Sequence, residues 1–490
     1  MVTKEQVLRD VFGFPSFRGG QEELIDGILA GRDVLGIMPT GGGKSLCYQV
    51  PALVMEGVTL VISPLISLMR DQVMALKNAG VAAAYVNSSL TPNQIRLVYQ
   101  NIRMGMYHII YVAPERLLTD GFLEAIQARS VSMVTVDEAH CISQWGQDFR
   151  PSYVKIADFL RCLPRRPVVS AFTATATERV RQDIAQILEL QNPIRVVTGF
   201  DRPNLRFEVR SPKNKDAELL QLVWDRREET GIVYCSTRRD VEKVCQLLQS
   251  RDIAATRYHA GLSEEERHEN QEDFIYDRAR VMVATNAFGM GIDKSNVSFV
   301  IHYNMPQSLE SYYQEAGRAG RDGEDAQCIL LFAPRDVHVA EFLINHPSKE
   351  SELTLQQQEN RIRQDLQRLD SMKHYCKTRS CLRGAILSYF GQEHPARCGN
   401  CGNCDPKKEK KTAPQPTTKK LLEELKALRW DLAKKGGVPA YIIFTDASLE
   451  DMARKRPETM EEFLKVTGVG KTKAQRYGQA FLEAIREHRE

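Results

Sequence analysis

The sequence lacks the features that would place the chain in a membrane or outside the cell. No apolar run approaches the length of a membrane span, and the first residues, MVTKEQVLRD, do not follow the basic, apolar and small-residue order of a secretory signal. The net charge is only +3, so bulk electrostatics does not single out a nucleic-acid partner. We therefore expect no membrane partner and a cytoplasmic protein, nucleoid-associated if bacterial, with reduced cysteines.

Length and patterning predict a multidomain α/β protein. A chain of 490 residues is too long for one core. Between about residues 30 and 340, short apolar runs such as DVLGIM, VTLVIS and GIVYC alternate with longer amphipathic stretches, as in parallel-sheet domains. The segment FDRPNLRFEV, around Pro203, interrupts this series. We predict two tandem parallel-sheet domains, at residues 1–203 and 204–340.

The remainder of the chain reads as helical. A predicted module at residues 341–405 contains apolar residues near the helical period: Leu353, Leu355, Ile362, Leu366 and Leu369. The charged, proline-bearing segment PKKEKKTAPQPTT, residues 406–418, predicts a flexible linker with a reach of roughly 20 Å. A small helical domain is predicted over residues 419–490.

A glycine-rich loop, MPTGGGKS, follows the predicted strand DVLGI. Its glycines leave backbone amides free to surround phosphates, while the lysine can reach the terminal phosphates and the serine can ligate Mg²⁺. The candidate nucleotide-binding residues in this loop are Thr40, Gly41, Gly42, Gly43, Lys44 and Ser45. Met38 stands where the generic pattern has its first glycine, so the loop alone could also be a turn without a ligand.

An acidic pair ends a later apolar strand, in SMVTVDEAH. Asp137 can hold the Mg²⁺ shell and Glu138 can polarise the attacking water, although acidic residues at a strand end can also cap a helix. The order of loop and pair favours an NTPase. Arg318 and Arg321, in YYQEAGRAGRDG, could direct guanidinium groups at a γ-phosphate or could form a salt-bridged helix start, and the other motifs favour the first role. Gln314 of the same segment is a further catalytic candidate.

The order of the motifs resembles the RecQ family of superfamily 2 DNA helicases. The matching segments are FGFPSFRGGQ, MPTGGGKSLCYQ, SPLISLMRDQV, YVAPERL, DEAHCISQWG, FTATAT, YHAGL, ATNAFGMGID and QEAGRAGRDG. The resemblance implies two RecA-like domains and an ATP-dependent helicase that moves 3′ to 5′ in recombination, repair and replication. Single-stranded and tailed or forked DNA are the implied partners, and a monomer is expected. An RNA helicase and a DNA-junction scaffold with weak unwinding are the alternatives.

The same resemblance implies roles for individual residues. Phe14, Arg18 and Gln21 correspond to the family's adenine contacts. The segment ISQWGQDFRPSY corresponds to its aromatic-rich loop, in which Trp145, Phe149 and Arg150 are candidate DNA contacts and Gln147 stands where many relatives carry histidine. Thr173, Thr175 and Asp293 are implied links between the nucleotide and DNA states, and His259 is assigned a structural or weak DNA-contact role.

Four cysteines predict a metal site: Cys381, Cys398, Cys401 and Cys404, spaced C-x16-C-x2-C-x2-C. Four thiolates suit a closed tetrahedral Zn²⁺ site, although an iron–sulfur cluster also accepts four cysteines. The spacing favours zinc, and the family's zinc module supports that preference. A closed site leaves no position for a catalytic water, so we expect a structural metal.

The C-terminal region departs from the usual RecQ arrangement, in which a winged-helix domain follows the zinc module. The linker here is too short to contain one. The tail resembles a helicase and RNase D C-terminal (HRDC) domain. Its turn VTGVGKTK carries Lys471 and Lys473, which could contact a DNA phosphate or could be solvated lysines beside a structural turn.

Overall fold

The apolar runs of the sequence form two separate parallel sheets in the computed structural model. The structure describes residues 2–39, 41–146, 148–288, 294, 296–346, 355–405 and 416–488. The chain divides into two compact units, residues 1–199 with 412–490 and residues 200–411, and each unit contains one sheet. No described helix is both long enough and apolar enough to span a membrane.

The sheet of the first unit has seven strands, all paired in parallel, in the order β3-β4-β2-β5-β6-β1-β7. Its strands are β1 Val34–Ile37, β2 Val58–Ile62, β3 Ala83–Val86, β4 Ile109–Val112, β5 Val131–Val136, β6 Val168–Thr173 and β7 Ile194–Val197. The inner strands β1, β2 and β4 are buried along their whole length. Burial on both faces explains why they read as continuous apolar runs.

Helices connect these strands, as parallel pairing requires. They are α1 Lys4–Asp10, α2 Gln21–Leu29, α3 Lys44–Val54, α4 Ile66–Asn78, α5 Pro92–Arg103, α6 Asp120–Gln127, α7 Pro151–Val154, α8 Ile156–Cys162 and α9 Glu178–Ile187, with 3₁₀ turns at Pro114–Arg116 and Ala139–Ile142. The phosphate loop joins β1 to α3, and the acidic pair follows β5.

The second unit has a six-stranded parallel sheet in the order β10-β11-β9-β12-β13-β8. Its strands are β8 Leu205–Arg210, β9 Gly231–Tyr234, β10 Ala255–Tyr258, β11 Val281–Ala284, β12 Phe299–His302 and β13 Ala326–Leu331. Its helices are α10 Lys215–Trp224, α11 Arg238–Gln249, α12 Glu264–Ile275, α13 Leu309–Ala316, α14 Pro334–Asn345, α15 Leu355–Lys377 and α16 Leu382–Tyr389.

The cysteine-bearing segment packs on the edge strand β8 of the second sheet. Gly402 N–H donates to the carbonyl of Phe207 at 2.8 Å, and Phe207 and Cys401 form an isolated parallel bridge. Arg383 Nη2 donates to the carbonyl of Leu205 at 2.7 Å, and Arg206 Nη2 donates to the carbonyl of Asp405 at 2.7 Å. These contacts join the module to the sheet instead of leaving it as an appendage.

The tail is a small all-helical bundle. It comprises α17 Pro416–Gly436, α18 Ala440–Ile443, α19 Asp446–Lys455, α20 Met460–Phe463 and α21 Lys471–Glu487. Phe444, Phe463 and Phe481 are fully buried at its centre and meet edge to face or tilted. The predicted fold class, with two RecA-like domains, a helical zinc-binding module and an all-α tail, is confirmed; the five predicted domain bounds stay predictions.

The tail lies against the start of the chain within the first unit. Gly468 N–H donates to the carbonyl of Gly13 at 2.9 Å, and Lys471 Nζ lies 3.0 Å from Asp10 Oδ2. Arg476 Nη1 also donates to Asn78 Oδ1 at 3.1 Å. The turn between α20 and α21 therefore faces the segment that leads into the phosphate-loop region.

Candidate nucleotide, DNA and metal sites

The phosphate loop depends on glycine at Gly43, where the chain turns into α3. Gly43 has φ +75°, in the left-handed region, and a Cβ there would lie 2.4 Å from Nε2 of Gln21. A side chain at this position would both strain the backbone and displace Gln21. The loop can therefore curl tightly before α3, whose N-terminal amides could bind a phosphate.

Gln21 and Arg18 fix the phosphate loop from the side. Gln21, which is 1% exposed, donates through Nε2 to the carbonyls of Gly42 at 3.2 Å and Gly43 at 3.1 Å. Arg18 Nη1 donates to the carbonyl of Gly41 at 3.0 Å. The structure thus assigns both side chains a loop-holding contact that the motif did not suggest. The adenine contacts of Phe14, Arg18 and Gln21 stay predictions, and Thr40 lies outside the described residues.

Lys44 and the acidic pair come together at the carboxyl end of the sheet. Lys44 Nζ donates to the carbonyl of Met38 at 3.2 Å. Burial and the neighbouring charge of Glu138 raise the pKa of Asp137 to about 7, while the positive charge of Lys44 opposes that rise. Three expected catalytic groups therefore interact electrostatically within one unit.

Glu138 begins a chain of polar contacts that links the acidic pair to β6. Glu138 adopts φ 48°, and its Oε2, which has no hydrogen-bond partner among the described residues, lies 3.4 Å from His140 Nδ1. His140 Nδ1 is 2.8 Å from Thr173 Oγ1, which accepts a hydrogen bond from Thr175 N–H at 3.3 Å. Burial lowers the pKa of His140, so the imidazole is neutral at pH 7. His140 was not among the residues predicted from the sequence, although it stands in the DEAH motif.

The aromatic-rich loop leaves the same strand end. The indole of Trp145 is half-buried, and Phe149 is also partly exposed. Arg150 Nη2 lies 2.9 Å from Asp148 Oδ2, and its Nη1 donates to the carbonyl of Pro64 at 3.2 Å. These contacts give Arg150 a role in holding the shape of the loop. Gln147 lies outside the described residues.

The arginine motif follows α13 in the second unit. Gln314 lies on this helix, and Arg318, which is 9% exposed, lies beside the hydroxyl of Tyr234. Burial raises the pKa of Tyr234 to about 12, and the guanidinium of Arg318 opposes the rise. Arg321 also acts on that hydroxyl electrostatically. The two arginines are therefore neighbours around one tyrosine.

His259 and Asp293 are the two remaining site residues predicted in the second unit, and the structure describes only His259. His259 accepts from Gly261 N–H through Nδ1 at 3.1 Å, and its Nε2 lies 2.8 Å from Glu242 Oε1. With Nδ1 accepting, Nε2 carries the proton, and both nitrogens have protein partners. The structural or weak DNA-contact role expected for His259 stays a prediction. Asp293 lies outside the described residues.

The four cysteines converge at one point of the second unit. The Sγ atoms of Cys381, Cys398, Cys401 and Cys404 all lie within 4.8 Å of one another. Gly384 N–H donates to Cys381 Sγ and Asn400 N–H donates to Cys398 Sγ, each at 3.3 Å. Amide donors favour thiolates, the form that binds metals. This geometry fits a tetrahedral ion with metal–sulfur bonds of about 2.3 Å.

The two candidate DNA-binding lysines of the tail are engaged within the first unit. Lys471 pairs with Asp10, as described above. Lys473 is partly buried, and burial lowers its pKa to about 8. In this arrangement the ammonium group of Lys471 is exposed and paired with a carboxylate.

Together, the two RecA-like domains, the phosphate loop and the acidic pair define a nucleic-acid motor of the helicase class. The sequence models of DEAD/DEAH box helicases and of the helicase conserved C-terminal domain match residues 18–184 and 214–323. Those of the RecQ zinc-binding region and the HRDC domain match residues 334–405 and 418–485.

The relatives narrow this class to one family. The chain is 38% identical to the ATP-dependent DNA helicase RecQ of Bacillus subtilis, over 99% of this chain and 98% of the relative. It is 35% identical to the RecQ helicase of Pasteurella multocida, over 99% and 94%. The chain belongs to the RecQ family of ATP-dependent DNA helicases.

Structural comparison supports the fold. The chain is similar to Mss116p solved with single-stranded RNA and AMP-PNP, at a TM-score of 0.58 and 15% identity, covering 76% of this chain and 86% of that chain. Identity at this level supports the shared fold alone. The alignment with Bacillus subtilis RecQ spans 590 positions against 490 residues here, so about 100 positions of the relative have no counterpart in this chain.

Proposed function

We propose that the chain uses ATP to move 3′ to 5′ on single-stranded DNA and to unwind tailed or forked duplexes in recombination, repair and replication. The proposal is supported above all by the contacts from Glu138 through His140 to Thr173, close enough to Lys44 of the phosphate loop for its charge to act on His140, within a chain that matches RecQ over nearly its whole length. We further propose that it works as a monomer, on the nucleoid in a bacterial cytoplasm, a setting suggested by its bacterial relatives.

In this proposal each polar group has a separate task in phosphoryl transfer. Lys44 holds the terminal phosphates, and the amides of Gly41, Gly42 and Gly43 surround them. Glu138 orients the attacking water, and the neutral His140 lies beside its carboxylate, with Nδ1 3.4 Å from Oε2. Gln314, Arg318 and Arg321 stabilise the charge that develops on the transferred phosphoryl group, and Asp293 and Thr175 report the nucleotide state.

Ser45 and Asp137 would hold Mg²⁺ beside the phosphates. The fit is supported by the carboxyl of Asp137, whose pKa is raised to about 7 by burial and by the charge of Glu138. Two carboxylates so close together favour a divalent cation as their partner. When bound, the ion neutralises charge on the β- and γ-phosphate oxygens.

The cysteine cluster would hold one structural Zn²⁺. All four ligands come from the protein, so no position remains for a catalytic water. The contacts of Arg383 and Gly402 with strand β8 would then tie the stability of the second sheet to the metal. The site therefore supports the fold of the motor and takes no part in the chemistry.

Trp145 and Phe149 would stack on bases, which is a sequence-tolerant mode of single-strand binding. Arg150 would act on DNA through the shape of the loop, because its guanidinium is already bound to Asp148 and Pro64. To contact a DNA phosphate, Lys471 would exchange its partner Asp10 for the phosphate, and Lys473 is the second candidate contact beside it.

A second candidate function is a DNA-junction ATPase with weak unwinding. It is favoured by the length of the linker region, because only residues 406–417 separate the matched zinc-binding and HRDC segments. Opening each base step costs about 1.4 kcal/mol of stacking, and a motor without a winged-helix wedge must trap separated strands by other means.

The two candidates are distinguished by strand displacement on 3′-tailed, 5′-tailed and forked duplexes, alongside ATP hydrolysis stimulated by single-stranded DNA or RNA. The proposed function predicts DNA-stimulated hydrolysis and displacement of 3′-tailed and forked substrates. Hydrolysis with negligible displacement would favour the junction ATPase, and stimulation by RNA alone would favour an RNA helicase. Lys44→Ala and Glu138→Gln should abolish hydrolysis; normal turnover in both would refute the assigned roles.

A further inference from the structure

The indole ring of Trp145 is covered by the guanidinium group of Arg179. Arg179 Cζ lies 3.1 Å from the centroid of the ring, and the arginine is exposed while the indole is half-buried. A planar, permanently charged guanidinium stacks favourably on an indole face. One face of the principal aromatic group of the loop is therefore occupied by a side chain of the protein.

The backbone of the loop is held on the same helix. Ser143 Oγ donates to Asp183 Oδ2 at 2.5 Å and accepts from Trp145 N–H at 3.1 Å. Asp183 and Arg179 are four residues apart in α9, so they lie on one face of that helix. Two side chains on one helix face thus hold the ring and the backbone of the first part of the loop.

Helix α9, which carries Arg179, lies next to the residues that contact the acidic pair. The helix begins at Glu178, shortly after Thr173, and Thr173 contacts the histidine of the DEAH motif at 2.8 Å. The 3₁₀ turn that carries this histidine, Ala139–Ile142, also packs on α9. The contact between Arg179 and Trp145 therefore lies where the aromatic-rich loop meets the residues nearest the acidic pair.

The strengths of the two interactions indicate whether Arg179 or a DNA base occupies the face of Trp145 when DNA is present. A cation–π contact at an exposed site changes an equilibrium constant by about 2- to 5-fold. Stacking of a nucleic-acid base on an aromatic side chain is worth about 5- to 150-fold. A base can therefore replace the guanidinium, but binding is weakened by the contact that has to be broken.

We propose that Arg179 is a positioning residue that holds Trp145 in its DNA-free arrangement and is displaced when a base stacks on the indole. The inference rests on the proposed role of Trp145 in DNA binding. Removal of Arg179 should make the loop easier for DNA to engage, with no loss of chemistry at the ATP site, which Arg179 does not contact among the described residues.

The first test measures the rate of ATP hydrolysis as a function of the concentration of a single-stranded oligothymidylate. Arg179→Ala should lower the half-saturating DNA concentration by about 2- to 5-fold and leave kcat at saturating DNA unchanged. Arg179→Lys keeps the charge but loses the planar stack, so its half-saturating DNA concentration should lie between those of the unmodified chain and Arg179→Ala. Arg103→Ala is the matched control, because Arg103 is an exposed arginine of the same unit paired with Glu124 at 3.5 Å. It removes the same charge and should not lower the half-saturating concentration.

The second test reads the ring itself. The chain has three tryptophans, so Trp224→Phe with Trp430→Phe leaves Trp145 as the sole indole. In that background, Arg179→Ala should move the emission maximum to longer wavelength without DNA, because the ring loses its cover. An unchanged spectrum would mean that the two side chains do not stack in solution.

The outcomes separate this inference from the proposed function. If oligothymidylate does not stimulate the unmodified chain, the proposed DNA role of the loop fails. If stimulation is normal but Arg179→Ala leaves the half-saturating concentration unchanged or raises it, the displacement of Arg179 is refuted. A raised value would identify Arg179 as a direct phosphate contact.

Discussion

A single methyl group at Gly470 should weaken the contact between the tail turn and residues 10–13. A Cβ at this position would lie 2.5 Å from the carbonyl oxygen of Val11 and 3.2 Å from that of Asp10. Gly470 has φ −82° and ψ 162°, an extended conformation that alanine adopts without strain. The clash would thus arise only from backbone on the other side of the contact.

The effect of Gly470→Ala depends on how the free-energy cost of overpacking compares with the contacts that dock the turn. Overpacking of this kind costs about 1–3 kcal/mol. The contacts that oppose it include the hydrogen bond from Gly468 to Gly13, worth about 0.5–1.5 kcal/mol, and the exposed Lys471–Asp10 pair, worth about 0–1 kcal/mol. The cost is comparable with these two attractions, so Gly470→Ala should raise the population of chains in which the turn is undocked from residues 10–13. Because 1.36 kcal/mol is tenfold, exchange limited by this opening should accelerate by about 5- to 150-fold.

Hydrogen exchange in the full chain measures this effect. Amides of residues 10–13 and 468–472 should exchange faster in Gly470→Ala. Gly436→Ala is the matched control, because a Cβ at Gly436 meets only Val438 Cγ2, at 3.6 Å, which is ordinary contact. Equal exchange in the two variants would refute the account of the docked turn.

Three other predictions concern the contact between His140 and Thr173, the metal site and the partly buried Lys473. Thr173→Val removes the acceptor for His140 and should reduce DNA-stimulated kcat about fivefold, for a bond worth about 1 kcal/mol, with nucleotide affinity unchanged; an equal loss of DNA-independent turnover would contradict a coupling role. Cys401→Ser should remove the bound metal, seen by elemental analysis, and lower Tm, whereas the exposed Cys162→Ser should change neither. Burial lowers the folded pKa of Lys473 to about 8 from 10.5, so the unfolded chain binds more protons between these values; stability should rise with pH across that window, and Lys473→Met should remove the rise in a comparison of unfolding curves.

The sequence was sufficient for the parallel sheets because their strands are buried on both faces. The runs DVLGI, VTLVI and GIVY correspond to strands β1, β2 and β9. A strand that is buried on both faces needs apolar side chains at every position, so it appears in the sequence as a continuous apolar run. The phosphate loop and the cysteine cluster could also be predicted from the sequence, since phosphate binding and metal binding each require particular residue types at short, fixed separations.

Contacts between distant segments could not be read in the same way. Trp145 and Arg179 belong to a loop and to a later helix, and no periodicity relates them. Gln21 has an amide that suits either a base edge or a peptide carbonyl, and its choice depends on how closely α2 approaches the phosphate loop. Such pairings are set by the packing of whole elements and leave no local signal.

The tail turn shows how one pattern supports two kinds of contact. Glycines beside lysines permit close approach of backbone amides to an acceptor, and a DNA phosphate and a peptide carbonyl both qualify. In this chain Gly468 N–H is already bonded to the carbonyl of Gly13, and Lys471 already has a carboxylate partner. A DNA phosphate would have to displace both contacts, whereas a base at Trp145 has to displace one cation–π contact. Under the proposed roles, the aromatic-rich loop would therefore be the less costly entry point for DNA, and engagement of the tail would follow it.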